Sequence, residues 1–100
     1  MGKILTQHTF MSSVTASGAS ASYLTDYRFD TATERTIQGM LTSGASIALY
    51  THVNLTSENT RVLVSTFSSS SFVTIIEGPV AKIEVVKTSG GGTAWVDGLV

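Results

Sequence analysis

The chain is cut into short runs in which β-branched and other apolar residues alternate with polar ones, and each run ends at Gly, Ser, Asp or Pro. Successive side chains leave a strand on opposite faces, so alternation with period two marks a half-buried β-strand. Ser46 to Val53 shows it most clearly. Ile47, Leu49, Thr51 and Val53 fall on one face, and Ala48, Tyr50 and His52 on the other. Helix is nearly excluded, because strong helix formers are scarce and β-branched residues lose side-chain freedom in a helix.

Further strands are expected over Ile4–Met11 with Val14 after it, Tyr23–Phe29, Arg35–Leu41, Arg61–Phe67, Phe72–Glu77, Val80–Lys87 and from Thr93-Ala94 towards Val100. Between them lie breaks. Ser17–Ser22 reads as a loop or weak edge segment, and Asp30–Glu34 as a turn or a short capped helical turn. Ser43-Gly44 is a turn, Thr56–Thr60 a polar loop and Ser68–Ser71 a flexible link. Glu77-Gly78-Pro79 is a strong break, and Ser89-Gly90-Gly91-Gly92 has the chemistry of a hairpin loop. Seven or eight short strands with short links, in 100 residues, fit one domain (1–100). The expected fold is an all-β antiparallel sandwich, jelly-roll or Ig-like, with Ile37, Leu41, Ile47, Leu49, Val62, Val64, Ile83 and Val85 facing inward. Gly39 suits a close approach of backbone. Residues 1–11 read either as an arm pairing with a neighbouring subunit or as an ordinary edge strand.

Composition limits the functions such a sandwich can have. Apolar residues make up 42% and mean hydropathy is +0.25, so a core is available. Charged residues are only 13%, against about 25% in an average domain. Their place is taken by 15 threonines and 14 serines. A net charge of −1 without Lys/Arg clusters argues against unaided nucleic-acid binding. The longest apolar runs are three or four residues, far below the ~20 of a membrane helix. Met1–His8 carries no apolar stretch of the kind a secretory signal needs. Cysteine is absent, so a disulfide, a thiolate metal site and a Cys nucleophile are ruled out.

Candidate chemistry is sparse. His8 and His52 lie far apart and outside any metal-binding spacing, so each reads as a polar strand residue. The serines lack a G-x-S-x-G elbow. The carboxylates Asp26, Asp30, Glu34, Glu58, Glu77, Glu84 and Asp97 read as solvated strand ends and turns rather than a glycosidase pair. The spacing of Asp26, Asp30 and Glu34 lacks the glycine and ligand pattern of a calcium loop. Ser89-Gly90-Gly91-Gly92-Thr93 lacks the lysine and helix of a phosphate loop. Tyr23, Tyr27, Phe29, Tyr50 and Trp95 offer a sugar-stacking face, with core packing as the competing reading, above all for Phe29 and Trp95. Asn54-Leu55-Thr56 matches a glycosylation acceptor, a match expected by chance in so Thr-rich a chain. No catalytic, metal or cofactor-binding residue is therefore assigned, and no cofactor or enzymatic activity is expected.

From about Thr36 onward, the strand Ala45-Ser46-Ile47-Ala48-Leu49-Tyr50 is followed by Glu77-Gly78-Pro79, by Val80-Ala81-Lys82-Ile83-Glu84-Val85-Val86 and by Ser89-Gly90-Gly91-Gly92-Thr93-Ala94. This succession resembles a family of small β-sandwich proteins encoded by tailed bacteriophages. The resemblance implies a virion structural component: a capsid decoration (cement) protein, or a small tail or neck piece. It implies no catalysis. Low charge and a hydroxyl-rich surface suit permanent, repeated interfaces. Expected partners are the major capsid protein or other virion proteins and further copies of the chain, with a trimer fitting local three-fold axes. A carbohydrate-binding module of a tail protein is the alternative. A small hydrolase using His8 or His52 is a third class.

Overall fold

The computed structural model describes residues 5–25, 34–53, 61–68 and 70–100. Eight strands are present: β1 (Gln7–Val14), β2 (Ser20–Leu24), β3 (Glu34–Leu41), β4 (Ser46–His52), β5 (Val62–Ser68), β6 (Ser71–Glu77), β7 (Lys82–Lys87) and β8 (Ala94–Leu99). Among the described residues there is no helix. The strands form two four-stranded sheets. Sheet I has the order β1-β8-β3-β6 and sheet II the order β2-β7-β4-β5, with every pairing antiparallel. This is the eight-stranded jelly roll, the first of the two sandwich topologies expected. Only β4 and β5, consecutive in sequence, are also neighbours in one sheet. Every other connection crosses from one sheet to the other.

That topology corrects the reading of Ser89–Gly92. The loop joins β7 in sheet II to β8 in sheet I, so it is a crossover and not a hairpin. β2 spans Ser20–Leu24, so it begins inside the expected Ser17–Ser22 loop, three residues before the expected start at Tyr23. The small residues of the expected loop can take part because β2 is an edge strand, paired only with β7. Tyr27 and Phe29 lie outside the described residues, as do Asp30–Thr33 and Thr56–Thr60. β1 pairs with β8 at the edge of sheet I, and Phe10 and Met11 are buried. Residues 7–11 thus belong to the sandwich itself.

The core is the layer between the sheets. Ile37, Ile47, Leu49, Ile83 and Val85 are fully buried, and Leu41 nearly so. They meet Val96 and Val100 and also the consecutive Phe10 and Met11, which can share the layer because the β1/β8 register shifts between Thr9 and Met11. Val62 and Val64 do not join them, being 61% and 40% exposed. β5 is an edge strand, and its register shifts where Leu49 opposes Ser65 but Tyr50 opposes Leu63. Val64 is the extra residue of that bulge, so the simple alternation fails there. Phe67 takes the inward position instead, stacked on Phe72 of β6 at 4.0 Å. Gly39 makes room for that ring. A Cβ there would lie 2.5 Å from Phe72 Cε1 and 2.7 Å from the Trp95 carbonyl oxygen.

Among the described residues two cations are fully buried, Arg35 on the inward face of β3 and Lys87 at the end of β7. Lys87 Nζ donates to three backbone carbonyls: Thr15 (3.1 Å), Ser89 (2.5 Å) and Gly91 (2.8 Å). Three acceptors satisfy its three N–H donors. Ser89 extends the lock, because its hydroxyl donates to the Gly44 carbonyl at 2.7 Å and accepts from the Ser46 amide at 3.1 Å. The β1–β2, β3–β4 and β7–β8 crossovers are thereby tied together at one end. Gly92 (φ 67°) sits in this knot, where a Cβ would lie 2.5 Å from the Ala45 nitrogen.

Leu49→Ala and Ile83→Ala are expected to lower the unfolding free energy by about 2–5 kcal/mol in urea titrations. Val62→Thr, at an exposed site, should change it by no more than about 0.5 kcal/mol. Lys87→Met should cost at least about 2 kcal/mol, because it strands buried carbonyls without a donor.

Candidate functional site

Three surfaces carry the residues with chemical potential: the outer face of each sheet and the side wall where β5 and β6 run. On the outer face of sheet II, alternation places Ala48, Tyr50 and His52 of β4 beside Lys82, Glu84 and Val86 of β7. Here the register does something that alternation could not show. Tyr50 stands opposite Glu84 and His52 opposite Lys82, so His52 and Glu84 are diagonal neighbours. His52 Nε2 donates to Glu84 Oε1 at 3.1 Å, and Arg61 Nη1 donates to the same oxygen at 3.3 Å. The Arg61 guanidinium lies over the Tyr50 ring, 4.0 Å from its centroid. His52 is 2% exposed and the Glu84 side chain 12%, while Arg61 is open to solvent.

Burial alone would raise the Glu84 carboxyl. The hydrogen bonds from His52 and Arg61, with the charges of Arg61 and Lys82, outweigh it and hold the group below the usual carboxylate value. Glu84 is therefore a paired, ionised anchor and not the solvated outward residue its position suggested. The cluster joins β4, β7 and the start of β5. With His52 almost wholly enclosed, its geometry serves structure better than catalysis.

The other expected candidates stay apart. His8 sits at the β1/β2 side, its ring 4.7 Å from Phe10 and 5.1 Å from Tyr23, and does not meet His52. Glu34 stands opposite Glu77 at the exposed end of the β3/β6 pair. Asp97 lies two pleats further along sheet I. Asp26, Asp30, Glu58 and Asn54-Leu55-Thr56 lie outside the described residues. Among the described residues, no group of three His, Asp or Glu side chains is placed to hold a metal ion. The Ser89 and Gly91 carbonyls turn towards Lys87, so this loop offers acceptors to a cation where a phosphate loop would offer N–H donors.

The aromatic residues do not form one face either. Tyr23 packs against the core and Tyr50 lies under Arg61 on sheet II. Trp95, expected in the core, is on the outer face of sheet I. The inward positions of β8 are Ala94, Val96 and Gly98, all buried. A Cβ on Gly98 would already lie 2.8 Å from Phe10 Cε2. That side of β8 is too close-packed for an indole.

Exposed apolar side chains occur on both edge strands of the β5/β6 side: Val62, Leu63 and Val64 on β5, and Val73 and Ile75 of β6, which face outward from sheet I opposite Gln38 and Thr36. The two strands come one from each sheet, and both are seven residues long. The opposite wall is the more heavily guarded, since β5 carries only the single bulge at Val64. β1 is broken by register shifts on either side of Met11, and β2 has only five residues. Bulges and short strands are the usual protections of a sheet edge.

These features define a hydroxyl-rich jelly-roll sandwich with exposed apolar side chains on its β5 and β6 edges. No protein-family model matches the chain, and no curated protein matches it. Among solved structures it is similar to the SPBc2 prophage-derived protein YomS, with a TM-score of 0.63 and 19% identity over 94% of this chain and 89% of that one. This likeness is one of fold. A more distant likeness, TM-score 0.47 and 14% identity over 98% of this chain and 86% of that one, is to a subunit of Bacillus endospore appendages, described as a family of disulfide-linked pili.

The Glu84 cluster makes stability depend on acid in a definite direction. A carboxyl whose folded pKa is depressed adds stability above its unfolded pKa, about 4.3. That stability is lost as pH falls through the folded value. Melting temperatures measured from pH 7 to pH 3 should therefore fall more steeply below about pH 4.3 in the wild type than in Glu84→Gln, with the variant already less stable at pH 7.

Proposed function

We propose that this chain is a structural, non-catalytic component of a bacteriophage particle, built to assemble with further copies of itself and with other virion proteins. The observation that carries the reading is the β5/β6 wall. An edge strand that presents Val-Leu-Val without an intervening charge is a template for pairing with another chain, unless something covers it. The charge pattern favours a second copy. Arg61 is the charge directly before β5, next to Val62. Antiparallel pairing of two β5 strands places the two Arg61 residues at opposite ends, where parallel pairing would set them side by side. An antiparallel contact of this kind is two-fold and self-complementary.

The fold shared with a prophage-derived protein supports a phage origin, as does a surface poor in charge and rich in Thr and Ser. Within that reading, a decoration (cement) role on the head fits best. A small sandwich whose wall seeks a permanent partner can add buried area to a shell already built. A tail or neck position is the runner-up, and comparing purified heads and tails by mass spectrometry separates the two.

Light scattering after size exclusion should give an assembly larger than one chain for the wild type. The double variant Leu63→Lys, Val64→Lys should run as a monomer with a melting temperature within a few degrees of wild type, and should fail to associate with particles. A wild-type chain that is monomeric at high micromolar concentration and missing from purified virions would falsify the proposal.

A further inference from the structure

The outer face of sheet I carries a second feature, bordered on the β6 side by Val73, which stands directly opposite Gln38. Trp95 of β8 stands directly opposite Met40 of β3, and Asp97 directly opposite Gln38. Thr9 of β1 extends the second row beyond Asp97, and Ser71 of β6 extends the first beyond Met40. A depression of about 460 Å³ opens over Trp95, Met40, Gln38 and Asp97. A smaller one of about 220 Å³ continues past Gln38 and Asp97 towards Gln7 and Leu99. The two share Gln38 and Asp97, so together they form a shallow trough across the central strands.

We propose that this trough binds a neutral saccharide. Its chemistry is divided in the way a pyranose ring is divided. The Trp95 indole and the Met40 thioether give an apolar floor suited to the C–H face of a sugar. One pleat further, about 7 Å along the strand, Asp97 and Gln38 sit on adjacent strands with about 5 Å between their Cβ atoms. A carboxylate that accepts beside a carboxamide that both donates and accepts is matched to a pair of neighbouring hydroxyls. Asp97 is held in place from the side, because Gln7 Nε2 donates to its Oδ1 at 3.2 Å and to Thr9 Oγ1 at 3.1 Å. Neither the Gln38 carboxamide nor the Trp95 Nε1–H has a hydrogen-bond partner among the described residues, so both are available to a ligand.

The same inventory argues against other ligand classes. No Lys, Arg or His lines either depression. An anionic ligand would therefore meet Asp97 with no compensating cation. A purely apolar ligand would cover Asp97 and Gln38 and leave them desolvated, which is costly. A polyol with one apolar face satisfies both halves of the site.

Trp95 is the chain's only tryptophan, so its emission reports on the site directly. The experiment is a fluorescence titration of the wild-type protein with malto-, cello-, manno- and chito-oligosaccharides of two to six units, checked by affinity electrophoresis. At least one series is expected to shift the emission and retard the protein. In electrophoresis, Trp95→Ala and Gln38→Ala should each weaken that retention, Trp95→Ala by about tenfold, while Trp95→Phe keeps part of it. All three should keep the wild-type melting temperature, since these side chains point away from the core. Leu63→Lys, which disrupts the assembly wall, should bind the saccharide as the wild type does. That separates this site from the proposed assembly. The proposal is overturned if none of the four series binds at millimolar concentration, or if binding survives Trp95→Ala. It is also overturned if Trp95→Ala changes the assembly mass while no saccharide binds, for the face then belongs to a second copy.

Discussion

The two sheets are joined by packing and by crossovers, so the apolar layer between them and the knot at one end carry the architecture. Lys87 is the centre of that knot. Its ammonium is buried, a position tolerated only because three carbonyls from two crossovers converge on it. Those carbonyls in turn belong to loops that would otherwise turn polar backbone into the protein. Each side of this arrangement needs the other. The glycines at 91 and 92 let the chain turn tightly enough to deliver the carbonyls, and the lysine makes that turn stable.

Crossing between the sheets has a further consequence. The first strand pairs with the last, and most ladders join strands distant in sequence. Such a topology folds through long-range closure, so its core must be specific enough to select the right pairs. Gly39 and Gly98 add to that selection. Each occupies a place where a neighbouring ring fills the space of a Cβ, so a strand in the wrong register would clash there.

The two walls and two faces divide the remaining work. β1 and β2 guard one wall by irregularity and brevity, while β5, with its one bulge, and β6 leave the other more open. Sheet II spends its outer polar groups on an internal cluster in which Tyr50, His52, Arg61 and Glu84 hold one another. Sheet I leaves Gln38, Asp97 and Trp95 open. A small sandwich can thus leave apolar edge strands and a polar, aromatic trough exposed without disturbing the layer that stabilises it.

The sequence by itself determined the all-β class, the strand number, most of the breaks and six of the eight expected core residues, because alternation is local and survives in any sheet order. It could not determine which strands pair. The reading of Ser89–Gly92 as a hairpin, of Glu84 as solvated and of Trp95 as core each failed for that reason. A glycine loop has the same local chemistry whether it returns to its own sheet or crosses to another. The enclosure of Glu84 depends on a diagonal contact with His52, set by the β4/β7 register. The outward turn of Trp95 depends on how little space Phe10 and Ile37 leave above Gly98. Val64 failed because it is the extra residue of a bulge, and Val62, though opposite Thr51 on the inward side, because it stands exposed at the start of an edge strand. Periodicity belongs to the sequence, but register, edges and the burial of charge belong to the partners each strand finds, and only the tertiary structure supplies those.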